Sequence, residues 1–127
     1  MAYLEMASNE WNRGRRMEEI NNYDWLELIP VGWKEIAHKM IEECEAIYPD
    51  WEIIDLKEKY GALRCYDDGV PTPLRDKIDT ILDKYEAMSG RTCCRCGNPA
   101  TKISTGWILP WCDFCGQDDE KYYRRIV

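Results

Sequence analysis

The stretch from Thr92 to Gly116, TCCRCGNPATKISTGWILPWCDFCG, constrains this chain more than any other. It contains Cys93-x-x-Cys96-Gly97 and Cys112-x-x-Cys115-Gly116, and the two pairs enclose 15 residues. That spacing is the one expected of a tetrahedral four-thiolate zinc site. Each pair is followed by Gly, a residue suited to the positive φ that often follows the second cysteine of a metal knuckle. The intervening KISTGWILPW predicts a short hairpin turning at Thr105–Gly106, which carries the second pair back to the first. The expected ligands are Cys93, Cys96, Cys112 and Cys115, holding one zinc per chain.

The alternatives for these cysteines are a reduced dithiol or redox pair and an iron–sulfur cluster. A redox C-x-x-C comes singly, at a helix N-terminus in a βαβ context, and that context is missing here. Cys94 offers a C-x-C with Cys96, but only Cys93 gives the gap that matches Cys112–Cys115, so Cys94 reads as a bystander. Cys44 and Cys65 read as small buried hydrophobes. Four protein thiolates leave no open coordination position, which makes the expected metal structural. It would supply folding energy to a segment with too little apolar surface to fold alone.

The rest of the chain sets the context for this segment. Of its 127 residues, 1–90 carry 20 acids and 11 bases, net −9, whereas 91–127 carry 4 acids and 6 bases, net +2. The acidic balance argues against a general nucleic-acid or anionic-membrane binder, because neutralising phosphate needs Lys and Arg. No apolar h-region stands in MAYLEMASNEWNRGRRMEE, and no run approaches a membrane span. These features predict a soluble cytoplasmic protein, in which reduced thiols favour metal binding over disulfides. Six Trp and eight Tyr against one Phe favour half-buried and interface positions.

The fold expected is α+β: two amphipathic helices flanking a β-hairpin, with a C-terminal zinc-ribbon-like knuckle pair. Residues 1–90 would form the helix–hairpin–helix domain, with 1–24 a loose arm or one short helix. Residues 91–127 would form the cysteine module and a charged tail. Trp33, Ile36, Ala37, Met40, Ile41, Cys44, Ile47 and Tyr48 recur at helical spacing before Pro49. WEIIDLKEKYGALRCY then switches to alternation, with Ile54, Leu56 and Tyr60 on one side, and predicts strands 51–59 and 62–66. Thr72 and Pro73 suggest an N-cap and first helical position. Leu74, Ile78, Ile81, Leu82, Tyr85 and Met88 continue that helix to a stop at Ser89–Gly90.

Catalytic patterns are sparse. The lone His38 falls on the polar face of the first helix, so His-based metal catalysis and an activated cysteine nucleophile lack their partner. Asp50 with Asp55-x-Lys57 superficially matches a metal-dependent nuclease pattern. Both acids lie on one strand, where a gap of five directs them to opposite faces.

GWKEIAHKMIEECEAI, LKEKYGALRCY and the paired C-x-x-C-G units around TGWILPWC together resemble a group of small zinc-ribbon proteins of bacteriophages and prophages. In that group a K-E-K-aromatic-G-x-L-R-aromatic-Y hairpin follows an amphipathic helix and precedes a cysteine module. Lys57, Glu58, Lys59, Tyr60, Gly61, Leu63, Arg64 and Tyr66 match, Cys65 stands at an aromatic position, and the resemblance spans about residues 32–116. It implies an origin in a bacterial host cell more than an activity.

Two functional classes follow. The first is a zinc-stabilised module that binds a host protein and inhibits or redirects it, a host defence system being the most economical target. Its contacts would be Lys57, Lys59, Tyr60, Arg64 and Tyr66, with Tyr and Arg as anchors. The alternative is nucleic-acid binding in phage gene regulation. It would use Arg91, Arg95 and Lys102, joined by Lys121, Arg124 and Arg125, with Trp107 and Trp111 as stacking faces.

Overall fold

A computed structural model describes residues 21–117 and 119–127. The chain is α+β, with helices packed beside one antiparallel hairpin and a second small antiparallel sheet at the C-terminal end. The expectation for residues 1–20 lies outside the described residues.

Asn21 opens a 3-10 helix, Asn22–Leu28, through a capping box with Asp24. The following residue, Asn22, is buried and acts as a clamp. Its amide donates to Glu45 Oε2 at 2.8 Å and to the Trp51 carbonyl at 2.7 Å, and its oxygen accepts from Ile53 N at 2.9 Å. One side chain therefore ties the end of the first α-helix to the start of the first strand. A buried amide with its groups satisfied in this way specifies geometry, because leaving any of them unpaired costs about 1–3 kcal/mol. Residues 21–24 thus belong to the folded body, not to a loose arm.

A second 3-10 turn, Val31–Trp33, leads into α1, Lys34–Ile47. Trp33, Ala37, Met40, Ile41 and Cys44 are buried, as the helical spacing predicts. The far end of the stripe departs from expectation: Ile47 is exposed. Tyr48 N then bonds back to the Cys44 carbonyl, and Pro49 prevents continuation.

Strands β1, Glu52–Lys59, and β2, Ala62–Asp68, form the predicted hairpin. Their alternation is interrupted, however. A register shift between Ile53 and Asp55 buries Ile53 and Leu56 and leaves Ile54 exposed. Such a bulge inserts a residue and reverses the face presented by the side chains before it. Tyr60, expected on the same side as Leu56, instead occupies the turn with φ +54° and stands exposed. Gly61 follows at φ +83°. A two-residue hairpin turn with both central φ positive favours Asn or Gly, so Tyr60 holds a backbone conformation that is unusual for its side chain.

Helix α2 spans Thr72–Ser89. Its N-cap is Pro71, one residue before the expected Thr72, with no side-chain cap bond; Thr72 and Pro73 lie inside the first turn. Ile78 and Tyr85 enter the core, Ile81 and Leu82 pack against it, and Met88 is exposed. Ser89 does more than end the helix. Its buried hydroxyl accepts from Leu63 N at 2.7 Å and donates to the Glu86 carbonyl at 2.6 Å, joining α2 to β2.

The C-terminal sheet has the order β4–β3–β5, built from β3, Lys102–Ser104, β4, Pro110–Trp111, and β5, Tyr123–Arg125. The segment expected to be only a charged tail thus supplies the third strand. The two expected domains also share a core, because Cys94 belongs to the central apolar cluster and Leu109 and Trp111 pack on it. Gly32 N donates to the Cys94 carbonyl at 2.8 Å, and Trp33 Nε1 donates to the Thr92 carbonyl at 2.9 Å. A Cβ added at Gly32 would lie 2.1 Å from the Cys93 oxygen, so glycine is required by the close approach of two backbones.

Candidate metal centre

The two cysteine pairs sit on matching local folds. Gly97 N donates to the Cys93 carbonyl at 3.0 Å and Gly116 N to the Cys112 carbonyl at 2.9 Å, each closing a tight turn. Within those turns, Asn98 N points at Cys96 Sγ (3.4 Å) and Cys115 N at Cys112 Sγ (3.3 Å). The two glycines are needed for different reasons. Gly97 takes φ +83°, whereas Gly116 lacks a positive φ and is selected by space. A Cβ there would lie 2.9 Å from Lys102 Cε and 3.0 Å from Trp111 Cβ.

The Sγ atoms of Cys93, Cys96, Cys112 and Cys115 all lie within 4.8 Å of one another, and Cys96 and Cys112 approach to 3.6 Å. A tetrahedral ion with metal–sulfur bonds of about 2.3 Å places its sulfurs roughly 3.8 Å apart, so the cluster has the dimensions of a metal site. Among the described residues, this is the one group of three or more His, Cys, Asp or Glu side chains placed to hold an ion. Burial pushes the Cys93 thiol up, but amides of Cys96, Arg95 and Cys112 outweigh it and hold the thiol at about 7. A thiol so disposed gives up its proton to a cation readily.

The remaining cysteines are set apart. Cys94 turns into the apolar core, where burial raises its thiol to about 12. Cys44 is likewise pushed up to about 12 by burial, and Cys65 is raised further for the same reason. None of the seven forms a disulfide. His38 is exposed beside Glu42 and the Tyr23 ring and takes no part in the cysteine cluster.

On the hairpin, the register pairs Lys57 with Arg64 and Asp55 with Tyr66, which gathers these side chains on one face. Lys57 bonds ionically to Asp55 at 3.1 Å and lies over the Tyr66 ring at 5.6 Å. Arg64 is half-buried, its Nε 3.3 Å from Glu86 Oε2 of α2, close enough for charge attraction but not aligned for a hydrogen bond. Lys59 lies 6.0 Å from the centre of the Tyr60 ring.

The bases considered for nucleic acid are not equally available to a ligand. Arg91 and Arg95 are exposed. Lys102 is buried, its ammonium 3.2 Å from Glu120 and 4.4 Å over the Tyr123 ring, and so is not presented to solvent. Arg125 pairs with Asp113 at 2.8 Å. Trp107 is 75% exposed, whereas Trp111 packs on the core and donates to Ser104 Oγ at 3.2 Å. The two indoles therefore do not offer equivalent stacking faces.

Sequence reasoning assigned no role to Glu58 beyond its place in the hairpin motif. Its Oε2 accepts from Gly61 N at 2.9 Å and its Oε1 from Trp107 Nε1 at 3.3 Å, linking the hairpin turn to the ribbon loop. The only signal in the sequence is an acid three residues before the turn glycine. No helix among the described residues is long and apolar enough to cross a membrane. Comparison of the chain with protein-family models, curated proteins and solved structures finds no match.

Proposed function

We propose that this chain is a zinc-stapled protein-binding module of phage type, which occupies a bacterial host protein and inhibits or redirects it. A component of host defence is the target class that best suits a small acidic protein of this kind. The observation that carries the reading is the exposure of large aromatic side chains on a braced frame. Tyr60, Trp107, Phe114 and Tyr122 all stand out from the surface. Exposed Tyr and Trp on rigid elements bury large area at little conformational cost and dominate interface energies.

The four-cysteine cluster supports the same reading from another side. Zinc suits four thiolates at this spacing, and with every position filled by protein it offers substrate no site. Its role is to hold the loop carrying Trp107 against the hairpin carrying Tyr60. A cluster made of cysteines alone, the burial of Lys102 and the pairing of Arg125 with Asp113 favour binding over catalysis or nucleic-acid recognition.

Affinity capture from a bacterial host lysate on the zinc-loaded chain tests the proposal. One or a few host proteins should be retained in stoichiometric amount and resist moderate salt. Retention of nucleic acid alone, lost steeply as salt rises, would overturn it.

A further inference from the structure

Between the hairpin turn and the ribbon loop lies a groove of about 330 Å³ lined by Glu58, Lys59, Tyr60, Gly106, Trp107 and Ile108. Its walls belong to segments far apart in sequence and are held together at two points. Gly61 packs on Ile108, where an added Cβ would lie 3.1 Å from Cγ2, and Trp107 Nε1 donates to Glu58. Tyr60 and Trp107 are among the most exposed large side chains of the described residues, at 74% and 75%. A positive φ at Tyr60 keeps its ring out at the turn, a strained disposition of the sort that persists where the surroundings demand it.

From this geometry we infer that the groove receives an arginine side chain of a basic segment in the partner protein. The inference rests on the protein-binding reading above and names the chemistry of its central contact. Each carboxylate oxygen can accept two hydrogen bonds. After one bond to Gly61 N and one to Trp107 Nε1, both Glu58 oxygens keep an acceptor position for a donor in the groove. A guanidinium matches this on three counts: its fork donates two parallel bonds to a carboxylate, its plane stacks on aromatic faces, and its charge is attracted to their π-clouds. Lysine would supply charge without the fork or the plane. The acidic balance of residues 1–90, 20 acids against 11 bases, favours approach of a basic surface over a phosphate backbone. Lys59 also lines the groove, but its ammonium lies 6.0 Å from the centre of the Tyr60 ring and makes no ion pair with Glu58, which leaves the carboxylate to the incoming guanidinium.

The test uses the full zinc-loaded chain labelled with nitrogen-15, with the Trp107 indole N–H signal as the site-specific readout. The probe is the peptide acetyl-Gly-Arg-Gly-amide at millimolar concentration, set against its citrulline and lysine counterparts and a short oligothymidine. Saturable displacement of the Trp107 signal by the arginine peptide is expected, with binding at least about tenfold weaker for citrulline, which keeps the shape but loses the charge. Glu58→Gln should weaken the arginine peptide by a similar factor. Trp107→Leu, read through the Tyr60 ring signals, should do the same and serves if Glu58→Gln disturbs the turn. Equal response to arginine and citrulline, displacement by oligothymidine alone, or no response would each overturn the inference. If a host protein is captured equally by wild type and Trp107→Leu, the groove assignment fails while the protein-binding reading stands. If neither captures a protein, the broader reading fails with it.

Discussion

The helix–hairpin body and the cysteine ribbon solve the same problem by different means. In the body, Trp33, Met40, Ile41, Leu56, Leu63 and Ile78 are withdrawn from water, each burial contributing about 1.5–3 kcal/mol against the entropy of ordering the chain. The ribbon has short strands of two and three residues, and several of its large apolar side chains face solvent. Its order depends on four sulfurs and on what it leans against. The ribbon is not a separate bead: it borrows apolar contact from the body through Cys94, Leu109 and Trp111. The body in turn completes the N-terminal end of α1 with ribbon backbone.

The largest effect should come from removing the ion. Metal binding in small zinc modules is worth about 10–16 kcal/mol of folding energy, so chelation or Cys93→Ser should abolish amide protection across 91–116. Because the Gly32 amide and the Trp33 indole bond to Cys94 and Thr92, protection there should fall as well, while Met40–Cys44 and the hairpin keep theirs. Hydrogen exchange with and without chelator reads this directly. Uniform loss along the whole chain would erase the distinction between the two regions.

Next in size is Trp33→Ala, expected to cost about 3–5 kcal/mol by cavity formation at a fully buried site. If the regions lean on each other as described, the variant should also release metal at lower chelator concentration than wild type. Unchanged metal retention would show the ribbon to be self-sufficient.

The body has its own electrostatic brace. Asp67 accepts two bonds from Arg75, at 2.9 and 2.8 Å, and one from Trp51 Nε1 at 2.8 Å. Burial pulls the Asp67 carboxyl up, but Arg75 and Trp51 prevail and hold it below the usual carboxylate range. A carboxyl depressed in the folded state contributes stability that is fully present above its unfolded pKa of about 3.9 and lost as pH falls through its lower folded value. Asp67→Asn should cost about 1.5–3 kcal/mol near neutrality and flatten the acid limb of the stability–pH curve. Denaturant titrations between pH 2 and 7 would show it; an unchanged acid limb would assign that limb to other carboxyls.

Arg64→Ala is the smallest expected change in stability. A half-exposed ion pair with Glu86 is worth at most about 1 kcal/mol, so the melting temperature should move little. Partner affinity should fall by at least about 1–2 kcal/mol if the hairpin face shares in binding. A large melting shift would instead make Arg64 a strut between β2 and α2.

Much of this was legible in the residues. The period from Trp33 to Cys44 announces α1 because buried helical positions recur every three or four residues, and the cysteine spacing announces the cluster because coordination restricts the loop. Where the reading departs from the structure, the cause is contact between residues far apart in the chain. Ile54 turns outward because of a bulge that alternation cannot foresee. Asn22 looks like arm sequence until Glu45, Trp51 and Ile53 surround it. Lys102 looks like a phosphate contact until Glu120 and Tyr123 enclose it, and those partners come from a segment whose third strand has no apolar pattern of its own. Glu58 and Trp107 meet only because the ribbon docks on the hairpin.

The missing side chain at Gly32 also bears on the order of events during folding. Its amide finds its acceptor only when residue 94 arrives, so the entrance to α1 stays incomplete until a segment about sixty residues further along has closed on it. Joining positions so distant requires the entropy of a long loop to be surrendered first, which slows that step relative to local helix and hairpin formation. An ion held by the four sulfurs would shorten the search by making the incoming knuckle rigid before it docks. Refolding should therefore show a fast phase indifferent to metal and a slower phase whose rate follows metal concentration, with the environment of Trp33 changing in the second.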